Sequence, residues 1–174
     1  MLWANPDSYL HEVVAELSRQ WPQNRTVNVV VTAIGGENAE AGAKRFERDV
    51  LALRPDVVTI DYALNDRGIG LSRAETAWKA MIARAKASGA KVILLTPTPD
   101  TNAKLDDPND PLNQHAEQIR RLARENSVAL VDSLALFQAR IHAGETLESF
   151  LSQSNHPNRK GHEIVAAGLL QWFH

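Results

Sequence analysis

Three short polar segments of this sequence carry residue types that could stabilise a negative charge and move a proton. The first contains Gly35-Gly36, the second Asn65 and the third His156. Glycines in a tight turn expose backbone N–H groups, an asparagine amide can donate to a developing oxyanion, and a histidine can serve as a general base. Each of these residues is also common in loops, so its setting in the fold decides what it means.

The glycine pair lies between a β-branched run and a helical pattern. Backbone N–H groups at such a strand-to-helix turn can face an anion near the N-terminus of the helix. A plain turn explains the glycines equally well, since glycine is frequent at these positions. The segment Ala33–Asn38 does not match G-x-G-x-x-G, so we predict no dinucleotide site.

The residues that precede Asn65 and follow His156 restrict the conformation of each. Asn65 follows the strand pattern Val57–Ile60, so its amide can donate into the crevice at the strand ends, although Asn-Asp is also a frequent turn pair. His156 precedes Pro157, which forces an extended conformation on it, and Asn158 then caps the last helix. A lone loop histidine is more often a surface residue, but this rigid setting favours a general base.

Strand and helix patterns alternate along the chain and predict an α/β fold. Apolar runs separated by helical patterns indicate a parallel sheet with helices on both faces. In such folds the chemistry lies beyond the carboxyl ends of the strands. The helix at 72–89 opens on a capping box, Ser72 to Glu75. The predicted strands are 27–33, 57–60, 92–95 and 128–131, and the other predicted helices are 8–19, 38–53, 111–126, 133–142, 146–152 and 158–173.

In this order and at these positions the three segments resemble the SGNH/GDSL hydrolase superfamily, from about residue 8 to the C-terminus. The resemblance implies a flavodoxin-like three-layer α/β/α sheet of strand order 2-1-3-4-5, in a single domain spanning 1–174. It implies that the Gly36 N–H and the Asn65 side chain hold an oxyanion and that His156 is the catalytic histidine. The implied substrate is a small-molecule ester with a small acyl group or a carbohydrate moiety, and no cofactor is implied.

The part of this family that carries the nucleophile has no counterpart here. In the family a first strand ends in Gly-Asp-Ser, whereas Met1–Asn5 is too short for a buried strand. Ser8 leads straight into a helix and Ser133 comes after the last strand, so helix capping explains both. We therefore expect an N-terminally truncated domain that lacks the first strand, with an upstream reading frame encoding Gly-Asp-Ser. Without that strand its two neighbours would carry unpaired backbone groups.

A second departure concerns the acid that should orient His156. The family has aspartate three residues before the histidine, and this sequence has Gln153. An ionised acid fixes the imidazole tautomer and stabilises imidazolium, whereas glutamine can accept a hydrogen bond but offers no charge. A backbone carbonyl could orient the ring instead. Catalysis by His156 therefore depends on a group that the motif does not supply.

Composition excludes several other classes of function. The 174 residues carry a net charge of -2, so nothing favours nucleic acid as a partner. The chain has no cysteine, which excludes disulfides and thiolate sites, and the other histidines lack a ligand-like spacing, so we predict no metal site. No apolar run reaches the ~20 residues of a membrane span. Met1–Asn5 does not read as a signal peptide, although one could lie upstream with the missing strand.

Three readings of the sequence compete. The favoured one is a serine esterase domain of the SGNH type, and the alternative is a catalytically inactive remnant or binding module on the same fold. The missing serine and Gln153 both favour the alternative. The third is an unrelated doubly wound binding domain like a response regulator. That reading is weakened because no acidic cluster follows the first strand and because it leaves Asn155-His156-Pro157-Asn158 unexplained.

Overall fold

The computed structural model describes residues 8–20 and 26–173. Residues cluster into two compact units. Of the described residues, one unit contains Thr32–Pro97 and Ala103–Leu134, and the other contains 8–20, 26–31, Thr98–Asn102 and 135–173. The sequence predictions for 1–7 lie outside the described residues.

The first of these units contains the parallel sheet. Its strands are β1 (Val57–Ile60), β2 (Lys91–Leu95) and β3 (Ala129–Val131), in the spatial order β1-β2-β3. Both pairings are parallel, with Val58 opposite Val92 and Leu94 opposite Leu130. This order agrees with the last three strands of the predicted 2-1-3-4-5 arrangement. The α/β fold with a parallel sheet is confirmed.

The helices of this unit cover the sheet by packing their apolar faces against its apolar side chains. They are α2 (Ala39–Asp49), α3 (Ala63–Asp66), α4 (Leu71–Ala87) and α5 (Pro111–Asn126), with a 3-10 turn at Leu51–Leu53. Trp78 of α4 is fully buried and packs in one cluster with Val92 and Leu94 of β2. Ile93 and Leu95, which point the other way along the strand, are equally buried. Both faces of β2 are therefore covered, as in a three-layer fold.

Side-chain caps set the start of two helices of this unit, whereas α4 has none. Asn38 and Asp110 cap α2 and α5 by accepting hydrogen bonds from the first turn of each helix. The predicted capping box at Ser72 is wrong, because α4 begins at Leu71 after Gly70 and the Ser72 carbonyl accepts from the Thr76 hydroxyl inside the helix. Gly70 has a φ of +78°, which turns the chain into the helix without a side-chain cap.

The other unit combines two packed helices with a short hairpin. It contains α1 (Tyr9–Gln20), a 3-10 turn (Leu147–Phe150), β4 (Leu151–Gln153), β5 (His156–Pro157) and α7 (Arg159–Leu170). The helix α6 runs over Ser133–His142. A β-carbon at Gly161 would collide with the Phe150 carbonyl, so glycine lets the two segments approach closely. Phe150 also meets Phe137 edge-on, with ring centroids 5.6 Å apart.

Two predicted elements are wrong in type. The helix expected over 146–152 is instead the 3-10 turn followed by β4, because Leu151–Gln153 pairs with β5. The strand expected over 27–33 is not a strand, because residues 26–34 form no ladder with any described residue. A strand requires a hydrogen-bonded neighbour that local sequence cannot supply. Most large apolar side chains of this segment are exposed, namely Val29, Val30, Val31 and Ile34, and Val27 is partly buried.

Candidate active site

Gly36 lies in a tight turn of five residues, Ile34–Asn38, which we call the glycine turn. Gly36 has a φ of +77°, and the Glu37 N–H donates to the Ile34 carbonyl at 3.2 Å. A β-carbon at Gly36 would meet no atom within 4 Å, so backbone conformation rather than space requires glycine there. Asn38 closes the turn by accepting from the Ala41 N–H at 3.0 Å. The backbone N–H groups of the turn thus precede the N-terminus of α2, where an anion is favoured.

Asn65 lies on α3, a single helical turn directly after β1, and it contacts the glycine turn. Its side-chain Nδ2 donates to the Glu37 carbonyl at 3.0 Å. An amide nitrogen has two N–H donors, so this bond leaves a second one for a ligand. Asn65 itself is exposed. The structure therefore brings Asn65 next to the residue that follows Gly36, although they lie far apart in sequence.

The Glu37 side chain also anchors the glycine turn, through an ion pair with Arg45 and a hydrogen bond from Tyr62. Its carboxylate accepts from Arg45 Nε at 2.8 and 3.0 Å and from the Tyr62 hydroxyl at 3.3 Å. Only 11% of the Arg45 side chain and 9% of the Glu37 side chain are exposed. Burial and the Glu37 charge raise the pKa of Tyr62 to about 12, so its hydroxyl remains a donor. Sequence reasoning missed this network, whose partners come from separate elements.

Asp66 is the fully buried acid of this unit, and it too was missed. Its Oδ1 accepts from the Ala39 N–H, and its Oδ2 accepts from the Trp78 Nε1–H, each at 2.7 Å. Burial raises the pKa of this carboxyl, and the two hydrogen bonds oppose the rise. Asp66 follows Asn65 directly, so neighbouring residues of α3 hold the glycine turn and the start of α2. A turn pair Asn-Asp gave no hint of this contact.

His156 lies in the other unit, on a short hairpin that we call the histidine hairpin (Leu151–Pro157). β4 and β5 are antiparallel, and Gln153 is opposite His156. Asn158 then caps α7 by accepting from the Gly161 N–H at 3.1 Å. The extended conformation expected before Pro157 is confirmed, with a paired strand in place of a free loop.

The imidazole of His156 has no orienting partner in the described part of the chain. Its Nδ1 is buried and makes no hydrogen bond with any described residue. Gln153, which occupies the position of the family acid, is exposed, and no hydrogen bond joins it to the ring within the described segments. Neither a charge nor a carbonyl of these residues therefore fixes the tautomer.

The two serines considered as nucleophiles are both buried at helix starts. Ser8 is 4% exposed, lies 2.8 Å from His11 Nδ1 through its hydroxyl, and accepts the first N–H groups of α1 with its carbonyl. Ser133 is 1% exposed and opens α6. Asp132, beside it, is bound by Arg120 at 2.6 Å and by the Thr96 hydroxyl at 2.9 Å. Neither buried position presents a hydroxyl to substrate. The capping expected of Ser133 is wrong, because its buried hydroxyl makes no hydrogen bond with any described residue and the Leu134 N–H donates to Thr96 instead, whereas Ser8 opens α1 through its carbonyl.

No group of three or more His, Asp or Glu side chains in 8–20 and 26–173 is arranged to hold a metal ion. No helix within these ranges is long and apolar enough to span a membrane.

Known proteins match this chain over most of its length. The model of the GDSL-like lipase/acylhydrolase family matches residues 3–164. An acetylxylan esterase of Geobacillus stearothermophilus is 24% identical over 180 residues, covering 94% of this chain and 79% of the relative. The crystal structure of an acetylxylan esterase from that organism superimposes with a TM-score of 0.84 at 24% identity, over 94% of this chain and 80% of the other. An α/β hydrolase from the metagenome of Lake Arreo gives 0.82 at 23% identity, over 95% and 80%. These structures show the same fold.

Proposed function

The chain belongs to the GDSL-like lipase/acylhydrolase family, and from this premise we propose that it is a serine esterase domain acting on acyl esters, small acyl or carbohydrate esters in particular. The observation that carries the proposal is the hydrogen bond from Asn65 Nδ2 to the Glu37 carbonyl. It joins the Asn65 amide to the turn that contains Gly36. Two kinds of donor, a side-chain amide and a backbone N–H, belong to one fixed assembly there, which suits an oxyanion.

In the proposed reaction a serine hydroxyl attacks the acyl carbonyl and His156 removes its proton. The carbonyl oxygen becomes an oxyanion, which accepts from the Gly36 N–H and the Asn65 amide. His156 then gives the proton to the leaving alcohol, and the acyl group stays on the serine. Water attacks this acyl-enzyme with the same histidine as base, releasing the carboxylic acid and restoring the serine.

We propose that the nucleophilic serine belongs to a segment outside this chain. Ser8 and Ser133 are buried at helix starts, which argues against either as nucleophile. β1 is an edge strand of the described sheet, and a further parallel strand paired with it would end near α3, where Asn65 lies. A strand that carries the serine at its carboxyl end would place it at this edge.

The relatives support the histidine assignment and the substrate class. In the acetylxylan esterase, alanine substitutions of a serine, of an aspartate and of a histidine are described as catalytic mutants. That aspartate precedes that histidine by three positions, the separation between Gln153 and His156. We propose acetylated saccharides as the substrates to try first, because that relative acts on acetylated xylan.

The test measures hydrolysis of p-nitrophenyl acetate and of acetylated xylo-oligosaccharides. The purified 174-residue chain is compared with a longer chain that also contains the residues encoded directly upstream of Met1. Each of the two proteins has a His156→Ala variant as its control. We expect activity in the extended chain alone and its loss in the control. Activity of the 174-residue chain that depends on His156 would contradict an external serine, and an inactive, folded extended chain would contradict the esterase.

One observation favours a second candidate, a saccharide-ester-binding module without catalysis. The buried Nδ1 of His156 has no partner among the described residues, and Gln153 supplies no charge. A histidine in this state has no group that fixes its tautomer and orientation, whereas the proposed oxyanion donors remain able to bind an ester carbonyl. Binding of acetylated xylo-oligosaccharide by calorimetry, with no acetate released by the extended chain, would support this module.

A further inference from the structure

The buried carboxylate of Asp66 joins two parts of the proposed oxyanion site that are distant in sequence. Asp66 is 0% exposed and stands beside Asn65 on α3. Its Oδ1 accepts from the N–H of Ala39, the first residue of α2 after the glycine turn. Its Oδ2 accepts from Trp78 of α4. A buried acid needs such partners, because an unpaired one would be strongly destabilising.

We propose that Asp66 is a positioning residue that fixes the Gly36 N–H relative to the Asn65 amide; this inference rests on the esterase proposed above. The glycine turn and the first residue of α2 are each attached to α3, since Asn65 donates to the Glu37 carbonyl and Asp66 accepts from Ala39. Both attachments come from adjacent residues of one helical turn. The two proposed oxyanion donors, the Gly36 N–H and the Asn65 amide, are thereby held in one hydrogen-bonded unit.

Helix physics explains why a carboxylate suits this position. The first N–H groups of a helix have no partner within the helix, and Asn38 takes the one at Ala41. Asp66 takes the one at Ala39, and its negative charge is favoured at the N-terminal end of α2. An apolar side chain at position 66 would fill the space but leave the Ala39 N–H unpaired and the turn free to shift.

The consequence for catalysis is geometric. Oxyanion donors act only within hydrogen-bond distance of the position that the oxyanion takes, and a displacement of 1 Å can reduce the rate about 10²-fold. Loss of the Asp66–Ala39 bond should therefore lower kcat more than it raises KM. Loss of the Asp66–Trp78 bond removes a support of the carboxylate and leaves the bond to Ala39 in place.

The test compares Asp66→Asn with Trp78→Phe and with the double variant in the active form of the protein. Asparagine has one acceptor oxygen, so one of the two donors meets an N–H in place of an acceptor. We expect Asp66→Asn to lower kcat about 10²-fold with KM within a factor of about two. Trp78→Phe should lower the melting temperature and keep kcat, and the double variant should regain much of kcat because asparagine can then accept from Ala39.

A second readout keeps this inference separate from the esterase proposal. In ¹⁵N NMR of the 174-residue chain, Asp66→Asn should shift the Gly36 amide and the Asn65 side-chain amide signals, and Trp78→Phe should leave both in place. This arm gives a result even if no form of the protein hydrolyses esters. Unchanged signals in Asp66→Asn, or an equal loss of kcat in Trp78→Phe at equal stability, would overturn the positioning role and leave Asp66 a purely structural residue.

Discussion

The glycine turn and the histidine hairpin differ in how firmly their reactive groups are held. In the glycine turn, Asn65, Asp66 and the Glu37–Arg45 pair all bind within a few residues of Gly36. In the histidine hairpin the backbone is paired and capped, but the imidazole Nδ1 has no partner in the described part of the chain. Among the described residues, the proposed oxyanion donors are therefore held by more contacts than the proposed general base.

Asn65→Ala should have the largest effect, because it removes a proposed oxyanion donor and an attachment of the glycine turn together. We expect kcat for p-nitrophenyl acetate to fall about 10²- to 10³-fold, as for loss of one oxyanion-hole donor. The measurement is steady-state kinetics on the active form of the protein. Asn126→Ala is a matched control, since its Nδ2 also donates to a backbone carbonyl but lies at the end of α5. Equal losses in the two variants would remove Asn65 from the chemistry.

Arg45→Met tests how far the glycine turn depends on its buried ion pair. Methionine fills similar space but leaves the Glu37 carboxylate with the Tyr62 hydroxyl as its remaining side-chain partner. We expect a loss of about 1 to 3 kcal/mol in the free energy of unfolding, less than for a fully unpaired buried charge because the Tyr62 hydroxyl still donates to the carboxylate. Urea unfolding measures it. Arg48→Met is the control, since Arg48 is 78% exposed and pairs with Asp49, and an equal loss there would contradict a special role for Arg45.

Elements whose signals are local could be predicted from the sequence. Pro111 and Asp110 mark the start of α5, and the helix runs to Asn126 as expected, because capping chemistry lies within the helix itself. The strand expected over 27–33 failed, because pairing is not a local property. The four residues of α3 escaped detection, because one helical turn is too short to show periodicity.

The candidate site also contains residues that could be predicted from the sequence and residues that could not. Gly36, Asn65 and His156 could be singled out because their types and order resemble a family motif. Glu37, Asp66 and Arg45 could not, since their roles come from contacts with residues on other elements. A buried aspartate and an exposed one have the same letter in the sequence. The contacts that stabilise a site are therefore harder to predict than the groups that react.

Gln153→Asp should give the His156 imidazole the orienting partner that it lacks, so that the histidine hairpin becomes more like the glycine turn. Position 153 is opposite His156 in the hairpin, so a carboxylate there can reach the ring and accept from Nδ1–H. We expect kcat of the active form to rise about tenfold. This is well under the ~10⁴-fold that the triad aspartate contributes in a serine protease, because the residues around position 153 are not arranged to orient a carboxylate. NMR should also show a slowly exchanging, strongly downfield imidazole proton. Gln153→Asn, of the same size without charge, is the control, and a similar gain there would exclude an electrostatic cause.

The smallest expected effect is on the pH dependence of the free energy of unfolding, in the unit that contains the glycine turn. His115 on α5 is buried, and burial with the nearby Arg67 charge lowers its pKa from 6.5. The unfolded chain therefore binds a proton more readily than the folded one, and His115 subtracts stability as pH falls below about 6.5. In His115→Gln that loss should disappear, so the free energy of unfolding should fall less steeply between pH 7 and pH 5, by at most about 1.4 kcal/mol per pH unit. Urea unfolding at a series of pH values measures the slope. If His115→Gln kept the slope of the parent, the acid sensitivity of this unit would have to come from its carboxylates.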